Sequence, residues 1–244
     1  MAERESVDSL PDGYVPHIGA TRQYMRDIIL GVNDGLVSTF LLISGVVGGG
    51  LDATDVLLTG IAGAIAGAIS MSIGEYIATK SQEEVFEAEI ALEREHLKFH
   101  RQHEKDQLKD MLASIGLEGD DLDKVVDIID ADDNAMLNMH AALEFGVVDT
   151  ERRNPVAAAV FSGLLFISGA MPSVLPFVFV DDTGLGLLAA GILTGIGLII
   201  VGAVKTLHTG KNPILSAAEN FAFGMAGGLL AYLVGRLFDA SVVA

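Results

Sequence analysis

The sequence predicts an all-α membrane protein of five transmembrane helices, with a helical cytoplasmic domain inserted between the second and third. Three observations carry this expectation. Half of the 244 residues are hydrophobic, and they gather in five apolar runs: 28–50, 54–79, 156–180, 185–204 and 214–237. Each is about 20 residues or longer, enough to cross ~30 Å of hydrocarbon at ~1.5 Å per residue. Five such runs in a soluble protein would need a far larger polar shell. Second, the basic residues are one-sided. Third, the chain between the second and third runs is strongly charged and nearly free of helix breakers.

The basic residues set the orientation. Of fifteen Lys and Arg, three precede or begin span 1 (Arg4, Arg22, Arg26), nine lie in 80–154, two separate spans 4 and 5 (Lys205, Lys211), and only Arg236 remains. The short connections 51–53 and 181–184 carry none. The N-terminus and residues 80–154 are therefore expected in the cytoplasm and the C-terminus on the opposite side. The formal charge is −18, and 80–154 holds 20 Asp and Glu against nine Lys and Arg, a net of −11. Such an excess attracts cations, but it also serves solvation in salt-adapted proteins, so placement is more informative than total charge. Cysteine is absent, which excludes disulfides and thiolate metal sites.

Taken in order, residues 1–21 read as a polar tail without the apolar core of a cleavable signal. Residues 22–79 carry transmembrane helices 1 and 2. No Gly or Pro occurs from Glu75 to Ile115, so one helix is expected to run from the membrane to near Gly116. A short acidic helix over 118–133, capped by Asp120 or Asp121, and another over 134–145 complete the cytoplasmic domain. Asn154-Pro155 opens span 3, and 155–244 holds helices 3–5. Pairs such as Gly31/Gly35, Gly63/Gly67 and Gly224/Gly228 allow close helix approach, which indicates packing and is compatible with a dimer.

The charged helix segregates its side chains. At ~100° per residue, Glu89, Glu93, His96, His100, His103 and Gln107 fall within roughly 80° of arc. Arg94, Lys98, Arg101, Lys105 and Lys109 lie opposite. A solvated helix gains by mixing signs at i,i+4, so the segregation points to a ligand face; a plain charged surface is the alternative. His140 and Glu144 share another face, with Met136 one turn earlier, although Met136 and Met139 also read as core. Imidazole, carboxylate and thioether suit Fe²⁺ or Mn²⁺ better than the all-oxygen ions Ca²⁺ and Mg²⁺. The Glu93-x-x-His96 element of di-iron bundles has no second copy here. The run Asp130, Asp132, Asn134 lacks the Gly and the bidentate Glu of an EF-hand.

Within the spans, Asp34 stands in a run otherwise almost free of charge. A carboxylate at the centre of hydrocarbon costs about 2.5–3.5 kcal/mol, so it is expected to be buried and to line an ion path. Counting from the basic ends puts Asp34, Met71 and Glu219 at a common depth of ~12–14 Å. Glu75 lies one turn from Met71 on the same face. For Glu75 the alternative is an interfacial carboxylate reaching water, and for Glu219 a structural hydrogen bond.

The stretch Arg26-Asp27-Ile28-Ile29-Leu30-Gly31-Val32-Asn33-Asp34-Gly35-Leu36-Val37-Ser38 resembles the first-span signature of the vacuolar iron transporter family, which includes the nodulin-like iron/manganese transporters. Gly67-Ala68-Ile69-Ser70-Met71-Ser72-Ile73-Gly74-Glu75-Tyr76 is similar to its second, and Ser81-Gln82-Glu83-Glu84-Val85-Phe86-Glu87-Ala88-Glu89 continues it. The resemblance spans nearly the whole chain. It implies a homodimer with the ion path at the subunit interface, a metal-binding domain between helices 2 and 3, and proton-coupled export of Fe²⁺, often Mn²⁺, from the cytosol. The family's pathway pair maps onto Asp34 and Met71, and its cytoplasmic glutamates onto Glu93, Glu104 and Glu144. His96, Gln107 and His140 occupy places where the family favours further Glu and Met. No prosthetic group and no nucleic acid are expected; the partners are transition-metal cations, protons, the bilayer and a second copy. A membrane-anchored metal-binding or ferroxidase-like protein that does not transport would use the ligand stripe but leave Asp34 without a role.

Overall fold

The computed structural model describes residues 21–146, 153–206 and 211–242. The expected tail lies outside the described residues, save Thr21. All regular elements among the described residues are helices: α1 Thr21–Gly48, α2 Ala53–Phe99, α3 Arg101–Ser114, α4 Gly119–Asp130, α5 Asp133–Leu143, α6 Pro155–Val174, α7 Pro176–Phe179, α8 Thr183–Val204 and α9 Pro213–Val242. Five of them (α1, α2, α6, α8, α9) are long and apolar enough to cross a membrane.

Local chemistry explains the boundaries. Gly50, at φ 82°, turns the chain after α1, and Asp52 caps α2 by accepting from the Asp55 N–H at 3.0 Å. Asn154 caps α6 through the Val156 and Ala157 N–H groups, with Pro155 at the first turn. Asp182 caps α8 in the same way. Span 3 is shorter than expected: α6 stops at Val174, two residues after Pro172, and the four-residue α7 finishes the run. Span 5 is longer, continuing to Val242.

Helix α1 is central, packed against α2, α6, α8 and α9. Small residues make this approach close: a Cβ on Gly35 would overlap the Phe166 carbonyl of α6, and one on Gly235 would overlap the Gly45 carbonyl of α1. These glycines therefore serve packing within the protomer.

The inserted helices differ from the expectation in one respect that matters. The single helix to Gly116 does not form; α2 ends at Phe99, His100 leaves helical geometry at φ −131° and ψ 26°, and α3 starts anew at Arg101. Tertiary burial outweighs local propensity here. Leu97, Leu108 and Leu112 enter one core with Leu122, Val126 and Ile129 of α4 and Met136 and Leu137 of α5, and a straight helix would carry α3 away from it. The expected stop at Gly116 is observed, where φ is 104°. Helix α4 begins at Gly119 with Glu118 at its cap, so Asp120 and Asp121 are first-turn residues and not caps.

Candidate functional site

The break at His100 builds the first site. The last two turns of α2 supply Glu93 and His96, the first turn of α3 supplies Glu104, and α5 with its C-cap supplies His140 and Glu144. Glu93, Glu104 and His140 are 3%, 2% and 0% exposed. The Nδ1 of His140 lies 3.3 Å from Glu93 Oε1, 3.8 Å from Glu104 Oε2 and 3.6 Å from Glu144 Oε2. The Nδ1 of His96 lies 3.4 Å from Glu104 Oε1 and 3.8 Å from Glu93 Oε2. Glu93 and Glu104 thus each turn one oxygen toward either imidazole. Two triads, Glu93–His96–Glu104 and Glu93–His140–Glu144, each have ligand atoms within 4.8 Å of one another.

These groups are close but unsatisfied. Glu93 Oε1 and both ring nitrogens of His140 are buried with no hydrogen-bond partner among the described residues. Buried polar groups in this state each cost about 1–3 kcal/mol, and nearly all in native proteins are paired. Burial pushes the Glu93 carboxyl above its ordinary range; the His140 imidazole opposes this, and the Glu104 and Glu144 carboxylates add to it. A divalent cation would satisfy the set at once. His96 and Glu144 are partly exposed, leaving the cluster open to solvent on one side.

Of the remaining stripe residues, His100 and His103 are exposed and Glu89 is half-buried, and none of these three belongs to either triad; Gln107 is half-buried. Met136 is fully buried in the apolar core with Leu108 and Val126, which fits the core reading of this residue. The opposite, basic face has its own explanation. Arg101 binds Asp130 and Asp133, Lys105 binds Asp127 and Asp130, and Lys109 binds Asp123. Charge segregation on α3 therefore reflects an acidic partner, α4 and the start of α5, as well as the ligand side. Burial alone would raise Asp130, but hydrogen bonds from Lys105 and Arg101 outweigh it and hold this carboxyl below its ordinary range. Asp132 is the cap of α5, in keeping with the rejected EF-hand.

The second site lies between α1 and α2. A cavity of about 330 Å³ is lined by Asp34, Ser38, Thr39, Ser70, Met71 and Phe166, among others; Gly63 and Gly67 also line it, packed against Leu42 and Phe166. Asp34 and Met71 thus face one space. The expectation that Asp34 is buried needs correction: it is exposed in the protomer, looking into this open cavity, and its carboxylate has no hydrogen bond or ion pair among the described residues.

Glu75 and Glu219 are placed differently. Glu75 lies beyond the cavity toward the inserted helices, where Arg153 Nη1 is 3.3 Å from its Oε1 and the Thr79 hydroxyl donates to the same oxygen. The other arm of Arg153 pairs with Asp27, which is 3% exposed. Glu219 is exposed on α9 and does not line the cavity. Its neighbour Asn220 turns inward instead, donating to Asn33 Oδ1 at 2.8 Å and to the Leu198 carbonyl at 2.9 Å. Asp27, Arg153 and Asn220 escaped the sequence reading. For Asp27 a signal existed, since it stands seven residues before Asp34 and so on the same helical face.

Comparison with known proteins agrees with this geometry. The chain is 30% identical to vacuolar iron transporter 1 of Tulipa gesneriana over 220 residues, covering 90% of this chain and 89% of that protein. It is 29% identical to vacuolar iron transporter 1 of Arabidopsis thaliana over 215 residues, 88% and 86% of the two chains. It is also 29% identical to Protein CCC1 of Saccharomyces cerevisiae over 213 residues, 85% and 66%. The VIT family profile matches residues 25–236. With a membrane cavity under Asp34 and Met71 and an acidic, histidine-containing helical insertion above it, the chain belongs to the VIT family.

Proposed function

We propose that the protein exports a divalent transition metal from the cytosol, Fe²⁺ with Mn²⁺ as a second cargo, in exchange for protons. The observation that carries this reading is the cavity in which an unpaired intramembrane carboxylate, Asp34, meets a thioether, Met71. An uncompensated charge at this depth is costly, and a cation or a proton removes the cost. The two states of Asp34 are then the two halves of an exchange. Met71 adds a soft donor that favours Fe²⁺ over Mg²⁺. The names of the relatives support iron as cargo.

In this reading Glu93, His96, Glu104, His140 and Glu144 capture metal on the cytoplasmic side. The shared carboxylates can bridge two ions, one beside each imidazole. Nitrogen and oxygen donors together suit borderline divalent ions and disfavour Ca²⁺ and Mg²⁺. The cavity is open on one side of the protomer, and a second copy packed there would shield it from lipid. Glu75 stands at the cytoplasmic approach to the cavity, whereas Glu219 is not among the residues that line it. Purified protein in vesicles with a trapped pH dye tests the proposal. Fe²⁺ or Mn²⁺ added on the cytoplasmic face should enter as protons leave. Metal binding without movement of either would refute transport and favour a membrane-anchored metal-binding protein.

A further inference from the structure

We propose that Arg153 is a tethered cation that closes the approach to the Asp34–Met71 cavity by occupying the Asp27–Glu75 carboxylate pair, and that an arriving divalent metal displaces it. This inference rests on the reading of that cavity as the ion path.

The placement follows from helical spacing. Asp27 and Asp34 are two turns apart on one face of α1, and Met71 and Glu75 are one turn apart on one face of α2. The Asp27–Glu75 pair therefore forms a layer some 6–10 Å from the cavity site, on the side of the inserted helices. The Arg153 guanidinium spans this layer, pairing with Asp27 through Nη2 and with Glu75 through Nη1 at 3.3 Å. The three side chains are 3%, 13% and 17% exposed for Asp27, Arg153 and Glu75, so solvent screens them little. Asn154 fixes the backbone just beyond Arg153 by capping α6.

Chemistry makes the guanidinium an obstacle. Arginine does not deprotonate in proteins, so its charge cannot be titrated away; it must move for a cation to pass. Two carboxylates against one guanidinium leave a net negative charge, and Arg26 adds only an exposed contact to Asp27 at 3.7 Å. A divalent ion neutralises the pair where arginine does not. The layer thus favours divalent over monovalent cations, and the freed guanidinium can return once the ion has moved on. A purely structural staple between α1, α2 and α6 would use the same contacts, so the test must read metal affinity.

The full chain carrying Glu93→Ala, His96→Ala and Glu144→Ala, in nanodiscs, is titrated with Mn²⁺ and free ion is counted by electron paramagnetic resonance. Adding Arg153→Gln should tighten Mn²⁺ binding about tenfold, the order expected from removing one charged hydrogen-bonded competitor. Adding Asp27→Asn as well should abolish the gain. Should Arg153→Gln fail to assemble, Arg153→Lys, which keeps the charge but loses the two-armed grip, should give a smaller gain in the same direction. Unchanged affinity in whichever variant assembles overturns the proposal and makes Arg153 a staple. Because the readout is binding, loss of the transport reading through normal flux in Asp34→Asn would be seen separately.

Discussion

Glu93→Gln should make the metal-free inserted helices more stable while removing their response to metal. Glu93 is 3% exposed, its Oε1 has no hydrogen-bond partner, and the Glu104 and Glu144 carboxylates share its surroundings. An ionised buried carboxylate without full compensation costs several kcal/mol. A neutral amide of the same shape left equally unpaired costs about 1–3 kcal/mol. The substitution should therefore gain about 1–3 kcal/mol, or roughly 5- to 150-fold slower exchange of amides that open with this unit. Hydrogen exchange followed by mass spectrometry on α3–α5 peptides of the full chain, with a chelator and then with Mn²⁺, reads both effects. Wild-type protein should gain protection with Mn²⁺, and Glu93→Gln should start higher and gain little. Faster exchange in the metal-free variant would mean that protein partners already satisfy Glu93, and the cluster would be structural.

Two further outcomes are expected. With no native cysteine, single probes report sidedness: Ser114→Cys should resist an impermeant thiol reagent in intact cells, while Ala53→Cys and Ser241→Cys react, and the opposite pattern would reverse the export direction. Docking of α3 on α4 should hold at neutral pH and weaken only in strong acid. Asp130 is held below its ordinary value, so its contribution is present above the unfolded carboxylate range and lost as pH falls through the depressed folded value. Asp130→Asn should cost about 1 kcal/mol at neutral pH, visible as faster exchange in α3, and remove that acid dependence; an unchanged acid profile would contradict it.

Much of the architecture was legible because membranes impose simple rules. The five spans follow from apolar length, and the start of span 3 from Asn154 and Pro155. The break at His100 was not legible, since no Gly or Pro marks it; it arises from where Leu108 and Leu112 must be buried. That break is what brings Glu104 and His140 to Glu93, and a projection along one straight helix instead grouped the exposed His100 and His103 with it. The same projection separated acid from base correctly but missed that α4 supplies the counter-charges for Arg101, Lys105 and Lys109. Asp34 was legible as a costly intramembrane acid. Its exposure was not, because the cavity depends on how α1, α2 and Phe166 of α6 pack around it. The Arg153 contacts join residues 126 and 78 positions apart, beyond the reach of local pattern.

The most direct test of the account is metal flux through Asp34→Asn in vesicles that report metal and pH together. The change keeps size and polarity but removes the charge that faces the cavity. Metal capture by the inserted helices should persist, while metal movement and the accompanying proton movement should both fall to the level of protein-free vesicles. Near-normal flux with intact proton exchange would mean that the carboxylate is not the membrane step, and the exchange mechanism built on it would have to be abandoned.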